Sequence, residues 1–295
     1  VASALEEGVV KDGDTYVCKG FETVADYKLK CHVFSTIGSH GSLTVEQALM
    51  NSCNPYMIHL ALEMGNSRFA YYQSLFGFGK ITGIDLPGET TGIVYGDRMT
   101  TIDAACNSFG QTINVNMMQM MAAYCSIING GMLYQPHIVK RIESANGEVV
   151  KEYKANLVRQ TITASTSKLL RRYLKNTVEE GTAKKAGVTG YSVAGKTGTA
   201  QKGDRKDNKW IISFIGHAPA ENPKFAIYVV IDEPYGTTGT SGSSADVLTL
   251  THNILEKLLP YMNVYKDASD EYEDTSSSPD ELTVDGIPAG TASSN

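Results

Sequence analysis

One short segment of the chain combines three residue types that could bind a substrate carboxylate and assist acyl transfer. Lys196, Thr197 and Gly198 follow one another in a run with strand-like composition. The lysine would supply a positive charge and the threonine hydroxyl a hydrogen bond. The glycine would leave room for a peptide to lie along the strand as if pairing with it. By composition alone this tripeptide is not rare, so it needs support from elsewhere in the chain.

A second candidate segment is Ser52-Cys53-Asn54, which holds a hydroxyl and an amide two residues apart. The same Ser-x-Asn pattern occurs at 144–146 and at 293–295. The first of these copies lies in a predicted hairpin turn and the second in a predicted disordered tail. Ser52 and Asn54 lie between two predicted helices, where they could point rigidly into a cleft. The alternative is that Asn54 only caps the second helix.

The chain offers no evident nucleophile or metal site for this chemistry. Its single Ser-x-x-Lys, Ser165 to Lys168, lies at the start of a predicted amphipathic helix, where serine commonly serves as a cap. We interpret it as a chance match. The six histidines show no HExxH or paired spacing, so we expect them to be structural and predict no metal and no cofactor.

Composition and charge predict one large domain, or two modest ones, followed by an acidic tail. The chain has 295 residues, of which 42% are hydrophobic, and a formal net charge of -6. Residues 263–295 contain eight acidic residues and one lysine, so they carry -7 and residues 1–262 carry +1. The tail is also rich in Ser, Pro and Gly, and we predict that it is disordered. No basic patch indicates nucleic-acid binding.

The ends of the chain and its cysteines leave alternatives open. The sequence begins without Met in the pattern of a helix interior, which favours truncation over a processed mature N-terminus. It has no apolar run of the roughly 20 residues that a membrane span needs. Cys18 and Cys31 flank a short segment and could form a disulfide in an oxidising location, or remain free thiols. Cys53, Cys106 and Cys125 lie in apolar patterns and are predicted to be core residues.

Apolar periodicity and turn signals predict an α+β fold in which helices flank an antiparallel sheet. We expect residues 1–41 to be irregular and 77–112 to be loop-rich. Short connections between the last three strands favour antiparallel neighbours. The predicted helices are two that meet at 52–54, followed by 68–75, 115–128, 167–180 and 244–259, with a hairpin at 137–153 and strands at 191–201, 210–216 and 225–231.

Several segments, read in chain order, resemble the transpeptidase domain of class B penicillin-binding proteins, of a division or sporulation type. The Lys196 and Ser52 segments then correspond to the third and second motifs of that family. The resemblance implies the penicillin-binding transpeptidase or serine β-lactamase-like fold and covers residues 1 to about 262. The matching segments are Ser39-His40-Gly41, Met50–Tyr56, Ser108–Gln111 with the helix after it, Asn129-Gly130-Gly131, Glu179–Ala183, Ala194–Gln201, Ser213–Pro219 and Pro223-Lys224-Phe225.

The chain departs from the family pattern in two places. Residues 112–116 replace a segment that is usually rich in Thr and Pro, which loosens only the subfamily assignment. The first motif, Ser-x-x-Lys, is absent from its place just before the segment that Val1–Gly8 resembles. Because that motif supplies the nucleophile, we expect the 295 residues by themselves to be inactive.

The resemblance implies a role for each remaining site residue. The missing serine would attack the penultimate D-Ala carbonyl of a peptidoglycan stem peptide, and the acyl group would then pass to an amine of a neighbouring stem. Ser52 would help relay a proton to the leaving amine, and Asn54 would bind the substrate amide. Lys196 would supply the electrostatic field and Thr197 would hold the carboxylate. The backbone N–H of Thr199 would contribute to the oxyanion hole.

The resemblance also implies partners and a location. The expected partners are stem peptides with their lipid-linked precursor, β-lactam antibiotics, and a membrane-embedded peptidoglycan glycosyltransferase. The expected location is the outer face of the cell membrane, with an anchor upstream of Val1. The alternatives are a D,D-carboxypeptidase or β-lactamase relative, a non-catalytic β-lactam sensor or scaffold, and a generic α+β domain with chance motifs. Asn54 and Lys196 are 142 positions apart with no convincing Glu-containing loop of the class A β-lactamase kind, which favours a transpeptidase.

Overall fold

Helices and antiparallel strands alternate along residues 1–203, 209–234 and 243–268, the ranges that this computed structural model describes. The helices are α1 Ala2–Glu6, α2 Val45–Met50, α3 Asn54–Met64, α4 Asn66–Leu75, α5 Thr101–Ser108, α6 Met117–Ile128, α7 Ala164–Glu179 and α8 Ala245–Tyr261. The strands are β1 Thr15–Cys18, β2 Phe21–Val24, β3 Tyr27–Lys30, β4 Gly41–Thr44, β5 Met132–Gln135, β6 Arg141–Glu143, β7 Val149–Glu152, β8 Asn156–Gln160, β9 Ala194–Lys202, β10 Lys209–Ala218 and β11 Phe225–Asp232.

The sheet that carries the Lys196 segment has three antiparallel strands in the order β11-β10-β9. In its register Lys196 pairs with Ile215 and Gly195 with Gly216. Helix α8 packs on this sheet and buries an apolar stripe against Ile212 and Phe214 of β10, both of which are fully buried. The predicted α+β fold, with an antiparallel sheet flanked by helices, is confirmed.

Helix α7 packs against β9, α2 and α6. Its apolar positions recur at helical spacing, and the resulting stripe is buried. The helix begins after Thr163, whose side chain accepts a hydrogen bond from the backbone N–H of Thr166. The buried apolar residues of α7 are Leu170, Tyr173, Leu174 and Val178.

The N-terminal segment is more regular than the sequence indicates. Residues 1–41 were expected to be irregular, and this prediction is wrong, because they form α1 and the two-stranded pairs β1-β4 and β2-β3. Each of these strands has only four residues, which is too few for an alternating pattern to stand out. Buried Ala4, Cys53 and Tyr56 pack in the core beneath this segment.

The loop prediction for residues 77–112 is also wrong in part, because α5 lies within it. The helix has only eight residues, but its start carries a signal: Thr100 and Asp103 form a capping box with hydrogen bonds in both directions. The predicted hairpin is confirmed as β6 and β7, which are joined through the turn at Asn146-Gly147. An additional pair, β5 and β8, frames it.

Helix α3 begins at Asn54 with Cys53 at its N-cap position, so the alternative interpretation, in which Asn54 only caps this helix, is wrong. After α8, Val264 is buried and Asp267 accepts hydrogen bonds from the backbone N–H and hydroxyl of Ser192. Residues 204–208 and the rest of the predicted tail, 269–295, lie outside the described residues. Within the described ranges, no helix has the length and apolar character to cross a membrane.

Candidate active site

The structure brings together the two candidate segments, which are far apart in the sequence. The ammonium Nζ of Lys196 on β9 donates a hydrogen bond to Ser52 Oγ at 2.5 Å, across a sequence separation of 144 residues. The same Nζ also donates to the backbone oxygen of Thr197 at 3.0 Å and to its hydroxyl at 3.3 Å. The cluster therefore consists of a lysine and two hydroxyl side chains from separate elements.

The backbone of Ser52 has an uncommon conformation that follows from the way α2 ends. Ser52 has φ +51°, in the left-handed region that favours glycine. The N–H of Cys53 donates to the carbonyl of Ala48 and the N–H of Ser52 to that of Leu49. This bond pair is the Schellman motif, which places the residue after the cap in the left-handed conformation. A serine occupies the position where helices most often have glycine, so a side chain is kept at the cost of some backbone strain.

Glycines set the close fit of β9 against β10. A Cβ atom on Gly195 would lie 2.3 Å from Cζ of Phe214 and 2.6 Å from the carbonyl oxygen of Ile215. A Cβ atom on Gly198 would lie 2.6 Å from Oγ of Ser213. The first site is blocked by an aromatic ring and by backbone, whereas the second is blocked by a rotatable side chain. Gly195 is therefore required for strand packing next to Lys196.

Helix α7 and the turn after it connect β9 to the end of α2. The Thr177 hydroxyl donates to the carbonyl oxygens of Leu174 and Gly195. The N–H of Thr182 donates to the Met50 carbonyl at 3.2 Å. A Cβ atom on Gly181 would lie 2.9 Å from Thr177 backbone and 3.0 Å from the Met50 oxygen, so this approach requires glycine.

Thr182 is a site residue that the sequence reasoning did not single out. Its hydroxyl lies 3.3 Å from that of Thr197, and the two hydroxyls form a pair beside the Lys196 ammonium. A signal was present, since Thr182 belongs to the segment Glu179–Ala183 that resembles the family. Two hydroxyl donors beside a cation are suited to hold an oxyanion such as a carboxylate.

Burial lowers the pKa of Lys196 from its usual value near 10.5 to about 8, because the charged form loses solvation. Its hydrogen-bond acceptors within the described ranges are the hydroxyl and carbonyl oxygens named above. A lysine with this pKa can both hold and release a proton near neutral pH. The site can therefore combine an electrostatic field with proton transfer.

The remaining predicted site residues occupy different positions. Asn54 lies in the first turn of α3, and its Nδ2 donates to the backbone oxygen of Lys30 at 3.3 Å. Thr199 is exposed on β9 and pairs in register with Ile212. Neither residue has a hydrogen bond to Lys196 in the described part of the chain, so their roles toward substrate stay predictions.

The other motif copies lie elsewhere. The Ser144 hydroxyl donates to the side-chain oxygen of Asn146 within the hairpin turn. Residues 293–295 lie outside the described ranges. Ser165 is in the first turn of α7, twelve residues and about 18 Å along the helix axis from Thr177. The structure therefore places the lone Ser-x-x-Lys at the opposite end of α7 from the candidate site.

A second polar cluster lies directly beside the site, at Cys53. All five cysteines are free thiols, so Cys18 and Cys31 do not form a bridge in this structure. The sulfur atoms of Cys18, Cys31 and Cys53 lie with a ring nitrogen of His40 inside one group that could hold a metal ion. A hydrogen bond between the side chains of Cys31 and Cys53 lowers the pKa of Cys31 and raises that of Cys53. The placement of Cys53 in a buried position is as predicted, but its partners were not anticipated.

Sequence comparison identifies relatives along nearly all of the described chain. The family model for the penicillin-binding protein transpeptidase domain matches residues 1–256. Stage V sporulation protein D of Bacillus subtilis is 39% identical over 270 residues, which cover 90% of this chain and 41% of that protein. Peptidoglycan D,D-transpeptidase FtsI of Escherichia coli is 31% identical over 274 residues, covering 91% of this chain and 43% of that protein. The chain therefore spans about two fifths of the length of these relatives.

Solved structures give the same result. Penicillin-binding protein 3 of Mycobacterium tuberculosis, in complex with ampicillin, superposes with a TM-score of 0.80 at 28% identity, covering 92% of this chain and 62% of that one. The D,D-transpeptidase domain of a peptidoglycan glycosyltransferase from Eggerthella lenta superposes with a TM-score of 0.72 at 26% identity, covering 88% and 63%. This chain belongs to the penicillin-binding protein transpeptidase family, and its relatives are class B proteins of the division and sporulation type.

Proposed function

We propose that this domain, in the protein that supplies its nucleophile, is a peptidoglycan D,D-transpeptidase that works through a serine acyl-enzyme. The observation that carries the proposal is the 2.5 Å contact between Lys196 Nζ and Ser52 Oγ, which unites the second and third motifs. The reaction class is supported by the curated relative from Escherichia coli that is named a peptidoglycan D,D-transpeptidase.

The proton path that we propose runs through Ser52 and Lys196. The attacking serine, which residues 1–295 do not provide at the expected place, forms an ester with the penultimate D-Ala carbonyl while the bond to terminal D-Ala breaks. The leaving amine takes a proton, which the Ser52 hydroxyl relays. With a pKa of about 8, Lys196 is about nine-tenths protonated at pH 7 and can resupply Ser52.

The substrate carboxylate would lie against the hydroxyls of Thr182 and Thr197. These hydroxyls are 3.3 Å apart and adjoin the Lys196 ammonium, so they offer hydrogen bonds and a positive charge to one anion. The N–H of Thr199 would donate to the oxyanion of the tetrahedral intermediate. Asn54 would release its weak 3.3 Å bond to Lys30 and donate to the substrate amide.

The wider assignments are part of the same proposal. The chain would act on stem peptides of the lipid-linked precursor at the outer face of the cell membrane and would be acylated by β-lactams. It would work with a membrane-embedded peptidoglycan glycosyltransferase. The solved relative from Eggerthella lenta, described as the transpeptidase domain of a peptidoglycan glycosyltransferase, is consistent with such a pairing of activities.

Covalent labelling by a fluorescent penicillin tests the proposal. A protein that carries the native sequence upstream of Val1 should be labelled, and the Lys196→Ala and Ser52→Ala variants should lose at least about 100-fold in acylation rate. Ser165→Ala and Lys168→Ala are matched controls and should label normally. Residues 1–295 alone should not be labelled. Labelling of residues 1–295, mapped to any serine, or full labelling of Lys196→Ala would contradict the assignment.

The product then distinguishes the transpeptidase from its relatives. With a stem peptide as donor and an amine as acceptor, a transpeptidase forms a cross-linked dimer, whereas a carboxypeptidase releases D-Ala without one. A β-lactamase would turn over the labelled acyl-enzyme rapidly. A sensor or scaffold would form no product from stem peptides at all.

A further inference from the structure

Four side chains beside the active site surround one point in space. They are Cys18 at the end of β1, Cys31 after β3, His40 before β4, and Cys53 between α2 and α3. Their potential ligand atoms all lie within 4.8 Å of one another. The three cysteines are buried to 3% exposure or less, and His40 is half-buried. This grouping is distinct from the cluster around Lys196.

Two separations in this group match the edges of a metal-centred tetrahedron. Nδ1 of His40 lies 3.5 Å from Sγ of Cys31 and 3.8 Å from Sγ of Cys18. With Zn–S bonds of about 2.3 Å and Zn–N bonds of about 2.0 to 2.1 Å, tetrahedral geometry requires sulfur–nitrogen edges of about 3.6 Å and sulfur–sulfur edges of about 3.8 Å. The two sulfur–nitrogen separations therefore lie within about 0.2 Å of a coordination edge, and the remaining separations among the four atoms do not exceed 4.8 Å.

The backbone around Cys18 supports a charged sulfur atom. The N–H of Gly20 donates to Cys18 Sγ at 3.4 Å, and the N–H of Cys31 donates to the carbonyl of Gly20 at 2.7 Å. Gly20 has φ +85°, and a Cβ atom there would lie 2.0 Å from the Gly38 carbonyl. This tight turn can accept only glycine, and it brings an N–H group to the sulfur that would be a thiolate.

We propose that Cys18, Cys31, His40 and Cys53 bind one Zn²⁺ ion in a closed tetrahedral Cys₃His site. Three thiolates and one imidazole are a ligand set that favours zinc, and four protein ligands leave no open position for a substrate. The role is therefore structural. The expectation of no metal is based on histidine spacing, which does not detect a site built from three cysteines, at positions 18, 31 and 53, and one histidine, at position 40.

The zinc site would position the second motif of the active site, a consequence that rests on the proposed function. Cys53 is the middle residue of Ser52-Cys53-Asn54, so a metal bond to its sulfur fixes the backbone on both sides. Ser52 is held in its left-handed conformation, and Asn54 remains beside Lys30, the neighbour of Cys31. Without the ion, this segment would lose the anchor at Cys53 and keep the hydrogen bonds at the end of α2 and between Ser52 and Lys196.

Metal analysis of reduced, folded residues 1–295 tests binding without any reference to acylation. We expect one zinc ion per chain after purification with zinc. Replacement by Co²⁺ should give the intense absorption of tetrahedral cobalt with thiolate-to-metal charge transfer. Cys18→Ser and Cys53→Ser should each weaken binding by at least about 100-fold, since even loss of an outer-shell partner costs 10- to 100-fold. Cys106→Ser and Cys125→Ser are the matched controls and should bind normally.

Three results would overturn the proposal, and each is distinguishable from failure of the proposed function. The first is that the folded wild-type chain, with all thiols reduced, takes up neither Zn²⁺ nor Co²⁺. The second is that the Cys18→Ser and Cys53→Ser variants bind the metal as tightly as the wild type. The third is an octahedral cobalt spectrum without thiolate-to-metal charge transfer. Because wild-type stoichiometry and spectrum do not depend on variants, a variant that fails to fold does not decide the question.

Discussion

Ser52 combines a strained backbone with a hydroxyl that contacts Lys196, so two substitutions can separate the contributions. Ser52→Ala and Ser52→Gly both remove the hydroxyl. Only glycine relieves the left-handed conformation at φ +51°, which costs a residue with a Cβ atom roughly 1–2 kcal/mol. Glycine loses more chain entropy on folding, by roughly 0.5–1 kcal/mol. The net expectation is that Ser52→Gly is more stable than Ser52→Ala by about 1 kcal/mol.

The comparison is best measured by urea unfolding monitored by circular dichroism, with a common slope for both variants. In parallel, the acylation rate by a fluorescent penicillin is measured in protein that carries the nucleophile. Both variants should lose acylation to the same extent, because the lost proton relay does not depend on the residue that replaces serine. A glycine variant more stable than alanine, yet equally inactive, would show that the serine is kept for its hydroxyl against the preference of the helix end.

The reasoning fails on either of two results. If Ser52→Ala were as stable as Ser52→Gly, the left-handed conformation would not be a strain that Ser52 bears. If Ser52→Gly kept the wild-type acylation rate, the 2.5 Å contact with Lys196 would have no part in the proton path. Asn51→Ala is a suitable control for the helix end, since its Nδ2 donates to the Gln47 carbonyl without touching Lys196.

Two further predictions concern the strand that carries Lys196. Gly195→Ala should lower the free energy of unfolding by about 1–3 kcal/mol, because its Cβ atom would meet the Phe214 ring and a backbone oxygen. Gly198→Ala should lower it less, because the Ser213 side chain can rotate away. Equal unfolding midpoints in urea for the two variants would refute this expectation. Lys196 has a folded pKa of about 8 against an unfolded value near 10.5, so the unfolded state binds more protons between these values and the free energy of unfolding rises with pH there. Between pH 8 and 10.5, the free energy of unfolding of the wild type should therefore rise by on the order of 3 kcal/mol relative to that of Lys196→Met, as measured by chemical denaturation. A difference in unfolding free energy that does not change with pH would contradict the burial of a charged lysine.

The sequence predicts long elements from their apolar pattern, whereas it predicts the short hairpin strands β6 and β7 from the turn signal at Asn146-Gly147. Helix α7 and strands β9 to β11 have 8 to 16 residues each, so their apolar spacing is distinct. Strands of four residues, such as β1 to β4, and the eight-residue α5 carry too few positions for periodicity. Only the capping box at Thr100 and Asp103 could have indicated α5.

The site was predictable as motifs but not as geometry. Lys196, Thr197 and Ser52 were recognised from local sequence, and the structure brings them within hydrogen-bond distance. Thr182 and the cysteine cluster depend on contacts between distant residues that no local pattern encodes. The sequence predicts Cys53 to be an ordinary core residue because it lies in an apolar pattern. Its three partners come from the end of β1 and from the segments after β3 and before β4, which only the tertiary fold brings together.

Helix α7 accounts for the alignment of the two motifs, because it contacts both carriers. On one side the Thr177 hydroxyl holds the carbonyl of Gly195, the residue before Lys196. On the other side Asn176 donates to Glu46 of α2 at 2.7 Å. These two neighbouring residues of α7 therefore link the first turn of α2 to β9. A substitution that shifts α7 by a fraction of an ångström should therefore move Ser52 and Lys196 relative to each other, although it changes neither residue.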